Sequence, residues 1–133
     1  MTSEYRLEGL SVPEELDRLQ DLLERAAADH PEVSSTDLIM FETAVVEIAG
    51  NVVQHGRPQG EVRWEFRLQV LPDRLDACLS DGGAAFEHVA ATEMPDEEAE
   101  SGRGMPLAAA ALDRLEYSRI FDVNHWEMVR LRR

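Results

Sequence analysis

Lysine is absent from this sequence, and all 13 of its basic residues are arginine. The absence excludes P-loop NTPases, ordinary protein kinases and Schiff-base enzymes, because each of these classes places a lysine ammonium group at its reacting centre. Cysteine is nearly absent too, since Cys78 is the only one, and therefore neither a disulfide framework nor a cysteine zinc site can form. Cys78 lies in an apolar run, which predicts a buried and inert thiol.

Long hydrophobic runs and an excess of positive charge are also missing. No stretch approaches the ~20 apolar residues that cross a bilayer, and the first residues, Met1-Thr2-Ser3-Glu4, do not resemble a signal peptide. The formal net charge is −14, which opposes direct binding to the phosphates of DNA or RNA. We therefore expect a soluble, cytoplasmic protein that contacts neither membranes nor nucleic acids.

The chain has 133 residues, of which 44% are hydrophobic, and this is enough for a single domain spanning 1–133. Its apolar periodicity and turn residues predict the order β-α-α-β-β-loop-α-β-β. Ser11 is expected to cap the first helix, with Glu14 completing a capping box. The pattern is typical of an α+β domain with helices on one face of a mixed, mostly antiparallel sheet. The predicted strands are 4–10, 60–71, 74–80, 115–121 and 125–132, and the predicted helices are 11–28, about 34–55 and 104–113.

Three polar residues, Glu47, Asn51 and His55, follow one another at intervals of four along the second predicted helix. Since each step of four advances only ~40° around a helix, the three side chains form one stripe beside the apolar face. A carboxylate and a carboxamide at the border of a cleft can act as a general base and a hard-cation ligand. A solvated stripe without function has the same spacing, so this motif alone leaves both interpretations open.

Two glycine-containing segments follow. The segment 81–86 begins with Asp81 directly after a predicted strand, where a carboxylate can accept a hydrogen bond from an exocyclic amine and glycine lets a flat ring approach. The segment 102–107 begins with Gly-Arg-Gly and opens the third helix, where free backbone N–H groups can bind phosphate. Taken singly, an ordinary Asp-Gly turn and a flexible connection remain alternative explanations.

The three motifs occur in one order: Glu-x-x-x-Asn on a long helix, Asp-x-Gly-x-x-Phe after a strand, and Gly-x-Gly before a later helix. This set resembles the nucleotide-binding domain of the GHKL ATPases, the Bergerat fold, which histidine kinases share with gyrase-type, Hsp90-type and mismatch-repair ATPases. Within that superfamily the chain is most similar to the single-domain anti-sigma-factor serine kinases. Residues 42–56 match that family's N-box, 101–107 match its second glycine box, and 112–117 match the junction that follows.

By this resemblance the fold is a two-layer α/β sandwich that binds ATP and Mg²⁺. The resemblance implies that Glu47 is the base that takes the proton from a substrate serine and that Asn51 binds the Mg²⁺ bridging the phosphates. Asp81 would hold the adenine amino group, with Gly83 allowing the ring to approach and His55 lying near the nucleotide.

The same resemblance makes the segment 87–101 a lid over the phosphates. The last strand carries Asn124 and no threonine, so the hydroxyl that many relatives place near the adenine is expected to be missing. The residues implied to bind the nucleotide at the second glycine box are Gly102, Arg103, Gly104 and Met105.

The activity implied by the resemblance is that of an ATP-dependent protein serine kinase. Such a protein binds a sigma factor, phosphorylates an antagonist protein on serine, and is expected to be a homodimer. Phosphorylation would release the antagonist by adding about −2 charge at the contact. The alternative is a binding module that ATP switches without phosphate transfer, and a third hypothesis is the ATP-binding domain of a histidine kinase.

Overall fold

The structure is a computed structural model that describes residues 2–10, 14–56, 63–85 and 104–133. The observed order of elements is the predicted one, with each strand and helix close to its expected position. The elements are β1 (Ser3–Leu10), α1 (Glu15–Asp29), α2 (Ser35–Gly56), β2 (Arg63–Val70), β3 (Arg74–Asp81), α3 (Gly104–Ala111), β4 (Arg114–Ile120) and β5 (Val123–Leu131).

The five strands form one sheet in the order β1-β2-β3-β5-β4, and each neighbouring pair is antiparallel. The prediction of an α+β domain is confirmed, but the expected mixed sheet is not found among the described strands. β3 and β4 run in the same direction, since each of them is antiparallel to β5. They do not form a parallel pair because β5 lies between them.

The core lies between the helices and one face of this sheet. Residues alternate along β2, β3 and β5 between buried positions and more exposed ones, as strands with one covered face do. None of the described helices has the length and hydropathy of a membrane span. The largest fully buried apolar side chains are Trp126, Phe66, Leu19, Ile48, Leu75, Leu79, Met128 and Val45.

The capping of the helices differs from the prediction. α1 begins at Glu15, and Glu14 occupies its N-cap position without a side-chain cap hydrogen bond. Glu14 is therefore not at position N3 of the helix, where a capping box that begins at Ser11 would place it. Ser11 itself lies outside the described residues. A side-chain cap is found instead at α2, where Ser34 Oγ accepts a hydrogen bond from the Asp37 N–H at 3.1 Å.

The uncovered face of the sheet carries the side chain of Cys78. The thiol is only half-buried, because Cys78 belongs to the alternate set of β3 residues that faces away from the helices. Burial raises the pKa of the thiol despite a 3.8 Å contact between its Sγ and the Ser80 Oγ. The thiol is thus only partly buried, where full burial was predicted. Its raised pKa agrees with the predicted low reactivity of the thiol.

A buried ion pair connects the start of α2 with β5. Arg130 Nε donates to Asp37 Oδ1 at 2.9 Å, and the Arg133 N–H donates to Asp37 Oδ2 at 2.8 Å. Arg130 also donates through Nη1 to the Ala111 carbonyl at the end of α3, at 2.8 Å. Burial alone would raise the pKa of Asp37, but the hydrogen bonds from Arg133, Ser34 and Arg130 outweigh it, and the pKa is lowered.

Candidate nucleotide site

Helix α2 carries the polar stripe that the sequence predicts. Glu47 and Asn51 are half-buried one turn apart, and each precedes a buried apolar residue, Ile48 and Val52 respectively. They therefore lie at the border of the buried face of α2, which packs against α3 and touches β3 and β5. His55 lies in the last turn of the same helix, and its side chain is outside the described part of the chain.

Asp81 is the last residue of β3, and its side chain is buried, with 4% of the residue exposed. Its Oδ1 accepts hydrogen bonds from the Gly83 N–H at 2.9 Å and from the Asn124 amide at 3.1 Å. Its Oδ2 is also buried, and no hydrogen-bond partner for it is found among the described residues. Leaving a buried acceptor unpaired costs about 1–3 kcal/mol, which a ligand that donates to this oxygen would recover.

Asn124 is a further candidate site residue, and its position beside Asp81 is not predicted by the sequence. It lies directly opposite Asp81 in the β3–β5 register and is fully buried. Besides Asp81, its Nδ2 donates to the carbonyls of Ala84 at 2.9 Å and Gly83 at 3.4 Å. At this place a carboxamide contacts the Asp81 carboxylate.

Two residues of β4 hold the other end of this carboxamide. Tyr117 donates its hydroxyl to Asn124 Oδ1, and its ring lies 4.8 Å from that of the buried Trp126. Arg119 Nη1 donates to the same Asn124 oxygen and to the Gly83 carbonyl, both at 2.9 Å. The carboxylate of Asp81, the turn that follows it and the β4–β5 hairpin thus form one hydrogen-bonded cluster.

The glycine segments are described only in part. Gly104 is the first residue of α3, and Met105 packs half-buried against the core. Gly102, Arg103 and the expected lid 87–101 lie outside the described residues. Gly82 is exposed, and a Cβ added to it would meet no atom within 4 Å. Space is therefore open beside the backbone of Gly82, whereas Gly83 is buried.

A cavity of about 640 Å³ opens beside Asp81, within the size range of small-molecule sites. Trp64, Ser80 and Gly82 line it together with Asp81, but of the described residues neither Glu47 nor Asn51 does. The residue expected to bind the base, Asp81, thus lines the cavity, whereas the residues expected to act as base and metal ligand, Glu47 and Asn51, do not.

The two α2 residues suit a magnesium–phosphate group chemically. Asn51 offers a carboxamide oxygen and Glu47 a carboxylate, and Mg²⁺ is commonly bound by one or two protein oxygens together with substrate phosphates. Among the described residues no group of three or more histidine, cysteine or acidic side chains gathers as a metal site. A metal here would consequently depend on the phosphates for most of its ligands.

Comparison with solved structures gives the same architecture. The structure of the RsbU and RsbW domains of Rv1364c from Mycobacterium tuberculosis superimposes with a TM-score of 0.69 at 14% identity, covering 98% of this chain and 33% of that one. The mycobacterial sensor histidine kinase MprB gives a TM-score of 0.53 at 15% identity, covering 96% and 99%. The chain thus spans about a third of the length of Rv1364c in that structure.

No curated protein sequence matches this chain. The profile of the histidine kinase-like ATPase domain matches residues 11–133, which is nearly the whole sequence. The chain belongs to the histidine kinase-like ATPase domain family.

Proposed function

We propose that this chain is an ATP-dependent protein serine kinase of the anti-sigma-factor class. In this proposal it binds a sigma factor and phosphorylates an antagonist protein, in a partner-switching pathway. The observation that carries the nucleotide part is the buried Asp81 carboxylate: one of its oxygens has no partner among the described residues, and Asp81 lines a ligand-sized cavity. Family membership and the order of the three motifs support the same assignment.

The proposed roles follow the resemblance residue by residue. Asp81 accepts the adenine amino group, and Gly83 leaves room for the ring. Asn51 holds Mg²⁺, which when bound would neutralise phosphate charge. His55 lies near the nucleotide. Gly102, Arg103 and Gly104 cradle the phosphates, and Met105 is a further nucleotide-binding residue.

In the transfer step, the serine oxygen of the antagonist forms a bond to the γ-phosphorus of ATP while the bond from that phosphorus to the oxygen of ADP breaks. The serine proton passes to the Glu47 carboxylate. The half-buried position of Glu47 fits this role, because a base must be shielded from bulk water and still reach a protein substrate.

Glu47→Gln tests the proposal, because it preserves the shape of the side chain and removes its basic oxygen. Its matched control is Glu42→Gln, which alters a half-buried glutamate of the same helix. We expect Glu47→Gln to bind Mg-ATP normally and to lose transfer by roughly 10²–10⁴, the usual contribution of a general base. Glu42→Gln is expected to transfer phosphate at the wild-type rate.

The measurement is transfer of label from γ-labelled ATP to candidate antagonist proteins of the same organism. A loss below about tenfold in Glu47→Gln would leave this residue with a positioning role. If the wild type transfers nothing to any cognate antagonist while ATP still changes its affinity for a partner, the kinase proposal is wrong. The module that ATP switches without phosphate transfer would then replace it.

A further inference from the structure

The carboxamide of Asn124 has only one orientation that satisfies its neighbours. Its Oδ1 receives hydrogen bonds from the Tyr117 hydroxyl and the Arg119 guanidinium, and a guanidinium can only donate. A flipped amide would place its NH₂ group against these donors and its oxygen against Asp81. Arg119 therefore fixes the side of Asn124 from which the NH₂ group is presented.

This orientation determines which oxygen of Asp81 is occupied. Oδ1 receives the Asn124 NH₂ group and the Gly83 N–H, whereas Oδ2 has no partner among the described residues. Arg119 also holds the carbonyl of Gly83, so the turn that supplies the second donor is fixed by the same side chain. The carboxylate is thus held at one oxygen, while the other is buried and has no partner among the described residues.

We propose that Asn124 and Arg119 are positioning residues for purine recognition: they hold Oδ1 of Asp81 so that Oδ2 is the acceptor for the 6-amino group of adenine. The proposal rests on the nucleotide site proposed above. Neither residue needs to touch the base. What they are expected to change is the preference for adenine over a 6-oxo purine. The oxygen at the 6-position of such a purine repels a carboxylate.

The probes are ADP and inosine diphosphate, and the measured quantity is the ratio of their dissociation constants in calorimetry. The wild type is expected to prefer ADP by about ten- to a hundredfold, the contribution of one hydrogen bond to a charged group. Asn124→Leu keeps the approximate shape and removes both amide functions, so the ratio is expected to fall close to one. Arg119→Gln is expected to lower the ratio at least about threefold, because one of the two donors to Oδ1 of Asn124 remains.

Arg114→Gln is the matched control, because Arg114 lies on the same strand but pairs with the exposed Glu116, away from Asp81. It is expected to leave the ratio unchanged. Arg119 is only 29% exposed in its side chain, so thermal unfolding of each variant is measured in parallel. A loss of stability alone lowers both affinities together and leaves their ratio intact.

The outcomes separate this inference from the proposed function. If Asp81→Asn removes the preference while folded Asn124→Leu and Arg119→Gln retain the wild-type ratio, the positioning role is overturned and the nucleotide site stands. If the wild type binds neither nucleotide, or binds both equally, the assignment of Asp81 and the positioning role fail together. If Asn124→Leu does not fold, an Arg119→Gln ratio equal to that of Arg114→Gln overturns the proposal.

Discussion

Replacing Asp37 with Asn is expected to destabilise the fold by about 3–5 kcal/mol, the usual cost of removing one partner from a buried ion pair. Asp37 is 1% exposed and Arg130 is 8% exposed, so water cannot replace the lost charge. The amide would also present a donor to the Arg133 N–H or to the Arg130 guanidinium, because each carboxylate oxygen now accepts one of them. For a chain of this size the change corresponds to a melting temperature lower by about 10–20 °C.

The assay is urea unfolding followed by fluorescence, for which the buried Trp64 and Trp126 are internal probes. The matched control is Asp73→Asn, which breaks an exposed pair with Arg74 and is expected to cost at most about 1 kcal/mol. The pH dependence gives a second test. Folding lowers the pKa of Asp37, so its stabilisation is complete above the unfolded pKa of about 3.9 and is lost as pH falls through the lower folded value.

The reasoning is refuted if Asp37→Asn costs no more than Asp73→Asn. It is also refuted if the difference in stability between wild type and Asp37→Asn stays constant from neutral pH to pH values below the folded pKa. The double variant Asp37→Asn with Arg130→Met is expected to lose less than the sum of the single variants, because it leaves no unpaired charge.

Three further predictions concern the metal, a tyrosine and assembly. ATP binding is expected to require Mg²⁺ held through Asn51, since no lysine is present to neutralise phosphate; equal affinity with and without EDTA in calorimetry would contradict this. Burial and the hydrogen bond to Asp29 raise the pKa of Tyr5 to about 12. The contribution of Tyr5 to the stability of the fold is therefore complete below the unfolded pKa of about 10 and is lost as pH rises toward 12. Urea unfolding across this range should show a smaller loss in Tyr5→Phe, and equal losses would rule this out. A homodimer with contacts from residues 4–28 is expected by family resemblance, and light scattering that finds a monomer at high micromolar concentration would exclude it.

Local patterns predicted most of the fold, because the apolar periods of strands and helices are properties of neighbouring residues. The ion pair between Asp37 and Arg130 was not predicted, since its members are 93 positions apart and only the closed sheet brings them together. The sequence predicted a capping box from Ser11 to Glu14, but a pattern this short also occurs by chance. The observed helix begins at Glu15 without it.

For the candidate site, the sequence indicated Asp81 and the α2 stripe but not what holds Asp81 in place. A signal for Asn124 was present: it shares the inward alternation of β5 with Trp126 and Met128, so it is a polar residue at an apolar position. Its partner could not be inferred, because the register that places it opposite Asp81 depends on how β5 enters the sheet. Arg119 was missed since nothing in its local sequence distinguishes it from the other arginines.

The position of β5 between β3 and β4 has a consequence for synthesis on the ribosome. Translation proceeds from the N-terminus at about 5–20 residues per second, so β5 emerges after each strand that it joins. Until it arrives, one edge each of β3 and β4 lacks its native partner, and such edges are prone to pair with other chains. A nascent chain that ends before β5 also lacks Asn124 and the native pairing opposite Asp81. If ligand binding at the proposed Asp81 site requires this pairing, a ligand stabilises the domain only after β5 has paired with β3.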